Sequence, residues 1–551
     1  MKSFILFLLS FVAITASAQP RADFNVVPLP NSITPAKNAT DINLATMECI
    51  CFGNYGADDH DMQRNARFLA QYINEAIGEQ LPQQIDVSRS IPHIELALNK
   101  KRITNPEGYI ISVGKKVIRI EGATPKGVFY GIQTFRKALP QTDAKDVVIP
   151  AVEVTGNPRF AYRGMHLDVS RHFFGVDFVK EYIDIMTLHG LNTLHWHISD
   201  DQGWRFEVDG YPRLIEVAAF REGTVIGRNT GLYDHQRHGG YFTREQIRDI
   251  LAYAKDRYIT VIPEVDMPGH MVAALAAYPE LGCTGGPYEV EQNWGIFDDV
   301  LCMGKEETFR FVFAVLDEVM RLFPSEYIHI GGDEAPRTRW KACPRCQQRI
   351  ADEHIVSDGK HSAEDLLQGY FTKRVEKYLA ERGRKIIGWD ELLEGNVNPT
   401  ATIMSWRSGN TDDDVREAAE KGHDLIMVPN STLYFDFYQF SEDEWYKPLL
   451  IGGESTLEKV YNYEPAPASF SDAVRRHIIG VQANLWTEYI AYKELAEYQV
   501  LPRMAALAEL QWLQPEKKNY TQFLERAQRL TALYDRYNWK YCDYAWKQKT
   551  D

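Results

Sequence analysis

The sequence predicts an α/β fold in which a (β/α)8 TIM barrel follows a small α+β domain. Beyond Asn157-Pro158, short apolar segments alternate with longer amphipathic segments eight times, which is the pattern of that barrel. Before this point, short strands with alternating apolar residues predominate. Acidic and indole side chains follow the apolar segments, where the active site of such a barrel lies. With 551 residues, the chain is long enough for both parts.

Residues 1–18 have the three parts of a secretory signal peptide. Lys2 precedes an apolar run over 4–14, and Ala16-Ser17-Ala18 supplies the small residues of a cleavage site. We therefore expect a mature chain that begins near Gln19 and is exported, to the periplasm or as a secreted protein. No cysteine follows the cleavage site for lipid attachment, and no later apolar run is long enough to span a bilayer. The mature protein is expected to be soluble.

The net charge restricts the classes of partner. The formal charge is −15 at pH 7, whereas a protein that binds a phosphate backbone needs a basic surface. The sequence therefore argues against nucleic acid as a partner. It leaves the oligomeric state open.

The seven cysteines of an exported chain permit disulfides. The pairs that we expect are Cys283 with Cys302 and Cys343 with Cys346. The Cys343-Pro-Arg-Cys346 segment also resembles half of a zinc site, but no second cysteine or histidine pair follows at ligand spacing. A small loop disulfide or free thiols is therefore the favoured interpretation.

Residues 19–156 are expected to form the α+β domain. Short alternating strands are accompanied by two helical patterns, which indicates an α+β arrangement. Asn157-Pro158-Arg159-Phe160 is the natural boundary after it. The predicted elements are strands over 93–98 and 108–113 and helices over 61–77 and 126–138.

Residues 157–551 are expected to form the catalytic barrel, with helices at its C-terminal end. The eight predicted strands cover 164–169, 193–198, 260–263, 327–330, 385–389, 402–406, 424–428 and 478–485. The predicted helices cover 176–188, 243–257, 306–322, 363–382, 412–421 and 493–510.

Chemically reactive side chains cluster directly after these strands. Parallel strands of a barrel end on the same face, so residues that follow them converge on one pocket. In chain order they are Asp168 and Arg171; Asp200 and Asp201; Glu264, Asp266 and His270; Asp333 and Glu334; Trp389, Asp390 and Glu391; Trp406; Tyr434 and Asp436; and Trp486 and Glu488.

The segment over 327–336 is the most informative of these strand ends. An apolar run stops at two glycines and is followed by Asp333 and Glu334. Successive strand residues point to opposite faces, so both carboxylates can serve one pocket only if the backbone departs from strand geometry. The glycines make that departure easy. An isolated pair of this kind would more often be a solvated turn, and the convergence of the other strand ends favours a functional site.

Tryptophans beside carboxylates suit a sugar ligand. Indole faces stack on the apolar face of a pyranose, while acidic and arginine side chains bind its hydroxyls. Individually, Trp389, Trp406 and Trp486 would more often be core residues. Together, each at a strand end beside an acid, they favour sugar stacking.

Five segments at the ends of the predicted barrel strands form recognisable motifs. They are His329-Ile-Gly-Gly-Asp-Glu334, Arg163-Gly-Met-His-Leu-Asp-Val-Ser-Arg-His172, His195-Trp-His-Ile-Ser-Asp-Asp-Gln202, Pro263-Glu-Val-Asp-Met-Pro-Gly-His270 and Leu485-Trp-Thr-Glu-Tyr489. These segments resemble the signatures of family 20 glycoside hydrolases, the β-N-acetylhexosaminidases. The resemblance covers the barrel and, more weakly, the preceding domain, and we find no departure in the catalytic segments.

The resemblance implies an exo-acting, retaining hydrolase that removes terminal β-linked N-acetylglucosamine or N-acetylgalactosamine. Its nucleophile would be the 2-acetamido oxygen of the substrate, so the reaction would pass through an oxazolinium intermediate. Glu334 would be the general acid and later the base. Asp333 would stay ionised to orient the acetamido N–H and stabilise the positive charge.

The resemblance also assigns roles to the surrounding residues. Asp200 and His270 would form a relay that tunes Glu334, although His270 alone could be a structural histidine. Arg171 and Glu488 would bind the 3- and 4-hydroxyls and Asp436 the 4- and 6-hydroxyls. Tyr434 would donate to the acetamido carbonyl, and the walls of the pocket would be Trp389, Trp406 and Trp486.

Two further hypotheses belong to other functional classes. One is a glycan-binding protein that has kept the barrel and lost turnover, which the intact Asp333, Glu334 and Tyr434 argue against. The other is a metal-dependent hydrolase that uses His195 and His197, because residues spaced by two share a strand face. No partner ligand set is evident for these histidines, so we expect neither a metal nor a cofactor. The natural glycan and the preference between gluco and galacto epimers stay open.

Overall fold

The computed structural model describes residues 19–547, except for 38, 54, 89, 143, 408–411 and 441–447 and the side chain of residue 57. The predicted signal peptide therefore lies outside the described residues. Backbone contacts divide the chain into two compact units. The first is Met1–Asn25 with Ser32–Gly156, and the second is Val26–Asn31 with Asn157–Asp551.

The first unit is a mixed sheet with two long helices. The predicted strands and helices all occur, with small shifts at their ends. Helix Pro125–Ala138 begins after Thr124, whose hydroxyl accepts a hydrogen bond from the Gly127 amide. In sheet order the described strands are Ser32–Pro35, Val152–Gly156, Tyr109–Val113, Val117–Gly122, His93–Leu98, Cys49–Phe52 and Gln83–Gln84, and the other long helix is Asp59–Ile77.

The second unit contains a closed barrel of parallel strands, as predicted. Every predicted barrel strand is present with ends within two residues of the expected ones, and the last strand pairs with the first. Over the described residues the barrel strands are Tyr162–Asp168, Thr193–His197, Thr260–Glu264, Tyr327–His329, Lys385–Trp389, Thr402–Ser405, Leu425–Met427 and Ile478–Ala483.

Helices follow the barrel strands, and one of the predicted helices is wrong. The expected helix over 493–510 is divided into Lys493–Val500 and Arg503–Trp512. Pro502 lacks an amide hydrogen and disfavours helical backbone at the preceding residue, which explains the break. No helix among the described residues is both long and apolar enough to cross a bilayer. The remaining helices of nine or more residues in the described part of the barrel unit are Val176–His189, Arg244–Asp256, Glu306–Leu322, Pro344–Asp352, Ala363–Ala380, Asp412–Glu420 and Tyr520–Arg536.

The predicted disulfides are also wrong. All seven cysteines are free thiols. Cys302 Sγ lies 3.6 Å from Cys346 Sγ and 3.8 Å from Cys343 Sγ, and Cys283 Sγ lies 3.8 Å from Cys346 Sγ. A disulfide needs a sulfur separation of about 2.05 Å. Spacing along the chain suggested two separate pairs, whereas the fold gathers the four thiols into one cluster.

A buried ion pair joins two helices at the C-terminal end of the barrel unit. Arg526 Nη2 lies 2.9 Å from Glu509 Oε2, and both side chains are at most 2 % exposed. The other Glu509 oxygen accepts a hydrogen bond of 2.8 Å from the Leu29 amide. The carboxylate is thus balanced within the core.

We expect Arg526→Met to lower the free energy of unfolding of the barrel unit by about 3–5 kcal/mol, because it leaves a buried carboxylate without its guanidinium. Urea titration followed by tryptophan fluorescence would measure the change. Arg529→Met, on the exposed face of the same helix, is the matched control and should change the midpoint little. Equal effects of the two substitutions would contradict the importance of the buried pair.

Candidate active site

A cavity of about 390 Å³ lies at the C-terminal ends of the barrel strands. Residues from the first, third, fourth and later strand ends converge on it, as the barrel pattern predicts. Nine of the eleven predicted site residues line it, and the other two lie behind it. The nine are Arg171, His270, Asp333, Glu334, Trp406, Tyr434, Asp436, Trp486 and Glu488.

Asp333 and Glu334 lie where the fourth barrel strand gives way to a loop. Two glycines with φ of 66° and 107° follow the strand, and Glu334 has φ of 46°. A Cβ at Gly331 would lie 1.7 Å from Asp266 Oδ1, so only glycine fits there. The left-handed conformation of Glu334 costs a non-glycine residue about 1–3 kcal/mol. The predicted departure from strand geometry is confirmed, and both carboxyl groups line the cavity.

Asp333 and Asp266 form a pair of buried carboxyl groups. Asp266 accepts a hydrogen bond of 3.0 Å from the Gly332 amide. Burial, together with the adjacent Asp266 carboxylate, raises the pKa of Asp333 well above its usual value. Burial also raises the pKa of Asp266 to about 8. From the sequence we expect an ionised Asp333, whereas the fold raises the pKa of both aspartates, because burial and a neighbouring carboxyl group disfavour the charged forms.

His270 connects two carboxylates with Glu334. Its Nδ1 lies 3.2 Å from Asp200 Oδ1 and 3.0 Å from Asp201 Oδ2, and its Nε2 lies 3.7 Å from Glu334 Oε2. Burial disfavours the charged imidazole, but the two aspartates overcome this effect and raise the pKa of His270 well above its usual value. A protonated His270 therefore directs an N–H toward Glu334. Asp200 and His270 meet as expected, and Asp201, which has no predicted role, is a second carboxylate beside the imidazole.

Glu264, a buried carboxylate, lies beneath this arrangement. His197 Nδ1 lies 2.5 Å from Glu264 Oε2, and its Nε2 lies 2.9 Å from Asp200 Oδ2. His195 Nε2 lies 3.0 Å from the same Glu264 oxygen. Burial opposes protonation of His197, but Glu264 and Asp200 raise its pKa to about 10, so it carries a positive charge. Both histidines of the His195-Trp-His197 motif therefore face the Glu264 carboxylate.

Arg171 is fixed by polar groups from the first two strand ends. Its Nη2 lies 2.8 Å from Asp200 Oδ2, its Nη1 lies 3.2 Å from Asp168 Oδ2, and its Nε donates to Gln202 Oε1 over 3.2 Å. The guanidinium carbon lies 5.0 Å from the centre of the Trp486 ring. Arg171 therefore faces the cavity in one orientation.

Three aromatic side chains form one wall of the cavity. The rings of Trp406 and Tyr434 are stacked, with centroids 6.2 Å apart and planes 18° apart. Trp486 lies 6.3 Å from Tyr434 between ring centroids. The Trp406 indole donates to Glu391 Oε2 over 3.0 Å, which fixes its plane. Burial raises the pKa of Tyr434, so its hydroxyl stays protonated and can donate a hydrogen bond.

Asp436 and Glu488 supply acceptors at another side of the cavity. Both carboxyl oxygens of Asp436 are buried and lack a well-formed hydrogen bond within the described part of the chain. Burial and the nearby Glu488 raise the pKa of Asp436. Buried polar atoms are nearly always bonded, so these oxygens indicate the position of a polar ligand.

Trp389 and Asp200 lie behind the cavity surface. Trp389 is 1 % exposed, and its indole donates to Glu264 Oε1 over 2.9 Å. Its ring centroid lies 5.9 Å from that of Trp486. Trp389 thus supports the aromatic wall from the barrel core, while Asp200 orients His270 and Arg171.

Two long loops contribute lining residues that the sequence does not mark. Asn229 Nδ2 donates to the Trp294 carbonyl over 2.7 Å, and Asn229 Oδ1 accepts from the Trp294 amide over 3.1 Å. Ile296 lines the cavity although its side chain is largely exposed. These residues lie far from the end of any barrel strand. Trp294 lies in a loop too long to be a simple connection, and this feature of the sequence could have marked the loop as part of the site.

Family comparison agrees with this geometry. The model described as "Glycosyl hydrolase family 20, catalytic domain" matches residues 160–515, and "Glycosyl hydrolase family 20, domain 2" matches residues 23–155. This chain belongs to glycosyl hydrolase family 20. The catalytic match covers more than half of it and contains every candidate site residue.

Curated relatives of this family 20 chain carry the name beta-hexosaminidase. One from Porphyromonas gingivalis is 40 % identical over 533 residues, which cover 94 % of this chain and 65 % of the relative. One from Vibrio furnissii is 36 % identical and covers 74 % of this chain and 66 % of the relative. The chain therefore spans about two thirds of the length of these two relatives.

Solved structures of family 20 enzymes share the fold. The β-N-acetylhexosaminidase from Streptomyces coelicolor matches with a TM-score of 0.79 and 29 % identity over 94 % of this chain and 97 % of that chain. A mutant β-hexosaminidase from Streptomyces plicatus, in complex with the product GlcNAc, matches with a TM-score of 0.80 and 28 % identity over 96 % of this chain and 98 % of that chain.

We expect Asp266→Asn to reduce the pH dependence of stability of this family 20 chain. The pKa of Asp266 is about 8 in the folded state, against about 3.9 for an ordinary aspartate. The folded state therefore binds the extra proton, and the free energy of unfolding falls as pH rises through that window. Calorimetric unfolding midpoints between about pH 5 and pH 8 should fall less steeply in the variant.

Glu245→Gln is the control for this experiment, because the Glu245 side chain is 81 % exposed. It should keep the slope of the wild-type protein. An unchanged slope in Asp266→Asn would show that this carboxyl group does not hold the proton.

Proposed function

We propose that this chain is an exo-acting, retaining β-N-acetylhexosaminidase that releases terminal β-linked N-acetylglucosamine or N-acetylgalactosamine. The observation that carries the proposal is the position of Glu334 at the cavity, with the His270 imidazole 3.7 Å from its carboxyl group and Asp333 adjacent in the chain. The names of the curated relatives support the same activity.

The size of the cavity supports removal of a single terminal sugar. Its volume of about 390 Å³ is near the lower end for ligand pockets. Buried side chains of the barrel core, including Trp389, lie behind its lining, so the chain of a glycan would extend through the mouth. A non-reducing terminal residue therefore fits this site better than an internal one.

Glu334 is the proposed general acid. It donates a proton to the glycosidic oxygen as the bond to the leaving group breaks. In the second step it accepts a proton from the water that attacks the anomeric carbon. His270 is protonated and held by Asp200 and Asp201, so it can stabilise the Glu334 carboxylate that forms when the proton leaves.

The proposed nucleophile is the carbonyl oxygen of the substrate's own 2-acetamido group. Its attack on the anomeric carbon forms an oxazolinium ion, and water then opens that ring with overall retention. Tyr434 donates its hydroxyl hydrogen to the acetamido oxygen, and Asp333 accepts the acetamido N–H. The developing positive charge favours an ionised Asp333, while Asp266 stays protonated.

The remaining polar residues are proposed to bind the sugar hydroxyls. Arg171 and Glu488 would bind the 3- and 4-hydroxyls, and Asp436 the 4- and 6-hydroxyls. The buried Asp436 oxygens have no well-formed hydrogen bond among the described residues, so they can accept hydrogen bonds from sugar hydroxyls. The aromatic wall of Trp406 and Trp486 supplies the apolar faces for the ring and the acetamido methyl group.

Export by way of residues 1–18 stays a prediction.

Substrate assistance predicts a strict requirement for the 2-acetamido group. We expect efficient hydrolysis of an aryl β-N-acetylglucosaminide and little hydrolysis of the aryl glycosides that carry a free 2-hydroxyl or 2-amino group. Proton NMR of the first sugar released should show the β anomer. Equal cleavage of the three glycosides, or initial release of the α anomer, would contradict the proposed mechanism.

The proposed roles also predict the effects of two isosteric substitutions. Glu334→Gln should abolish turnover of substrates with poor leaving groups, and Asp333→Asn should lower kcat on the order of 10²-fold or more. Steady-state kinetics would measure both, with Asp256→Asn, an exposed acid at the end of helix Arg244–Asp256, as the control. Wild-type kcat in either variant would contradict its role, and sugar binding without turnover by the unmodified protein would favour a glycan-binding function.

A further inference from the structure

Four cysteines from two separate loops meet in one buried cluster. Cys283 and Cys302 belong to the loop between the third and fourth barrel strands, and Cys343 and Cys346 lie beyond Glu334, around the start of helix Pro344–Asp352. Their sulfur atoms all lie within 4.8 Å of one another. Cys302, Cys343 and Cys346 are buried, and Cys283 is half-buried. Neither the proposed reaction nor the cavity uses this cluster.

Three of the six sulfur separations in the cluster match those of a metal tetrahedron, and the others are at most 4.8 Å. Sulfur atoms about 2.3 Å from a central zinc ion would be about 3.8 Å apart at tetrahedral angles. The separations are 3.6 Å for Cys302 to Cys346, and 3.8 Å both for Cys302 to Cys343 and for Cys283 to Cys346. A disulfide would need about 2.05 Å, and Cys302 is equally near two partners. The cluster therefore fits one shared ion better than two covalent pairs.

The backbone around the thiols brings the two loops close together. A Cβ at Gly304 would lie 2.2 Å from the Arg345 carbonyl carbon, so glycine is needed for the two loops to approach. Lys305 Nζ donates to the carbonyls of Glu280 and Gly282, over 2.7 Å and 2.6 Å, and brings a positive charge beside Cys283.

We propose that Cys283, Cys302, Cys343 and Cys346 bind one Zn²⁺ ion in a closed tetrahedral site. Four soft thiolates in a tetrahedron favour zinc over the hard cations, and a site with four protein ligands leaves no position for substrate. Binding releases the four thiol protons and leaves a complex with two negative charges. The site is structural, and it differs from the metal-dependent active site considered for His195 and His197.

The position of the site indicates what it stabilises. It joins the loop that carries Trp294 and Ile296 to the segment that follows Glu334. The same two segments are also joined by the Trp340 indole, which donates to the Leu301 carbonyl over 2.9 Å. Arg339 and Asp299 add a bidentate ion pair with distances of 2.8 Å and 2.9 Å. Zinc would therefore hold the cavity rim against the strand end that bears the general acid.

Metal and thiol analysis of the full-length, unmodified protein tests the proposal. After dialysis, plasma mass spectrometry should find about one zinc per chain. Alkylation in denaturant with chelator and without reductant should modify all seven cysteines. Absence of zinc would overturn the proposal, whether the thiols are free or the intact mass is lower by four hydrogens, as two disulfides require. One iron per chain in place of zinc would overturn the identity of the ion.

A pair of variants tests the ligands. Cys343→Ser with Cys346→Ser should reduce bound zinc from about one to about zero per chain and lower the thermal unfolding midpoint. Cys49→Ser with Cys51→Ser is the matched control, since these two cysteines are buried in the other unit, and it should keep the zinc. Equal zinc in both double variants would overturn the ligand assignment. If the first variant does not fold, replacement of zinc by Co²⁺ in the unmodified protein should give the thiolate charge-transfer absorption of a tetrahedral cobalt site, and its absence would overturn the assignment.

Discussion

The site depends on one buried charge, the carboxylate of Glu264 at the end of the third barrel strand. An unpaired ion in this environment would cost several kcal/mol, so the barrel must surround it with partners. Imidazole and indole nitrogens meet it at 2.5–3.0 Å, and they come from the second, fourth and fifth strands. These groups keep the pKa of Glu264 well below its usual value although burial opposes ionisation. They are His195, His197, His329 and Trp389.

The same charge sets the geometry of the reacting groups. His197 is protonated because it lies between Glu264 and Asp200, and Asp200 in turn binds both His270 and Arg171. A continuous series of contacts thus runs from the barrel core to Glu334 on one branch and to Arg171 on the other. A substitution at Glu264 would therefore disturb both sides of the cavity, although Glu264 lies in the barrel core and does not line it.

Most of the fold and much of the site follow from the sequence, because both depend on local patterns. Barrel strands have continuous apolar runs, and the side chains that line the cavity follow the ends of these strands, so the positions of Asp333, Glu334 and Arg171 could be predicted. Contacts between residues that lie far apart in the chain could not be predicted. The Asp266 and Asp333 pair, the lining contributed by Trp294 and the four-thiol cluster all join segments whose separation along the chain carries no signal. Pro502 is the opposite case, since its effect on the helix is local and could have been anticipated.

Side chains of the barrel core lie behind the cavity, whereas loops form its rim. Substitutions at these two places should therefore differ in their effect on stability. Trp389 belongs to the hydrogen-bonded centre of the barrel, so a substitution there would also disturb folding. Ile296 and Ile451 line the cavity and are 54 % and 41 % exposed. Substitutions at these two positions should therefore cost less stability than a substitution at Trp389. The lining of the cavity can change at its rim while the barrel core behind it stays the same.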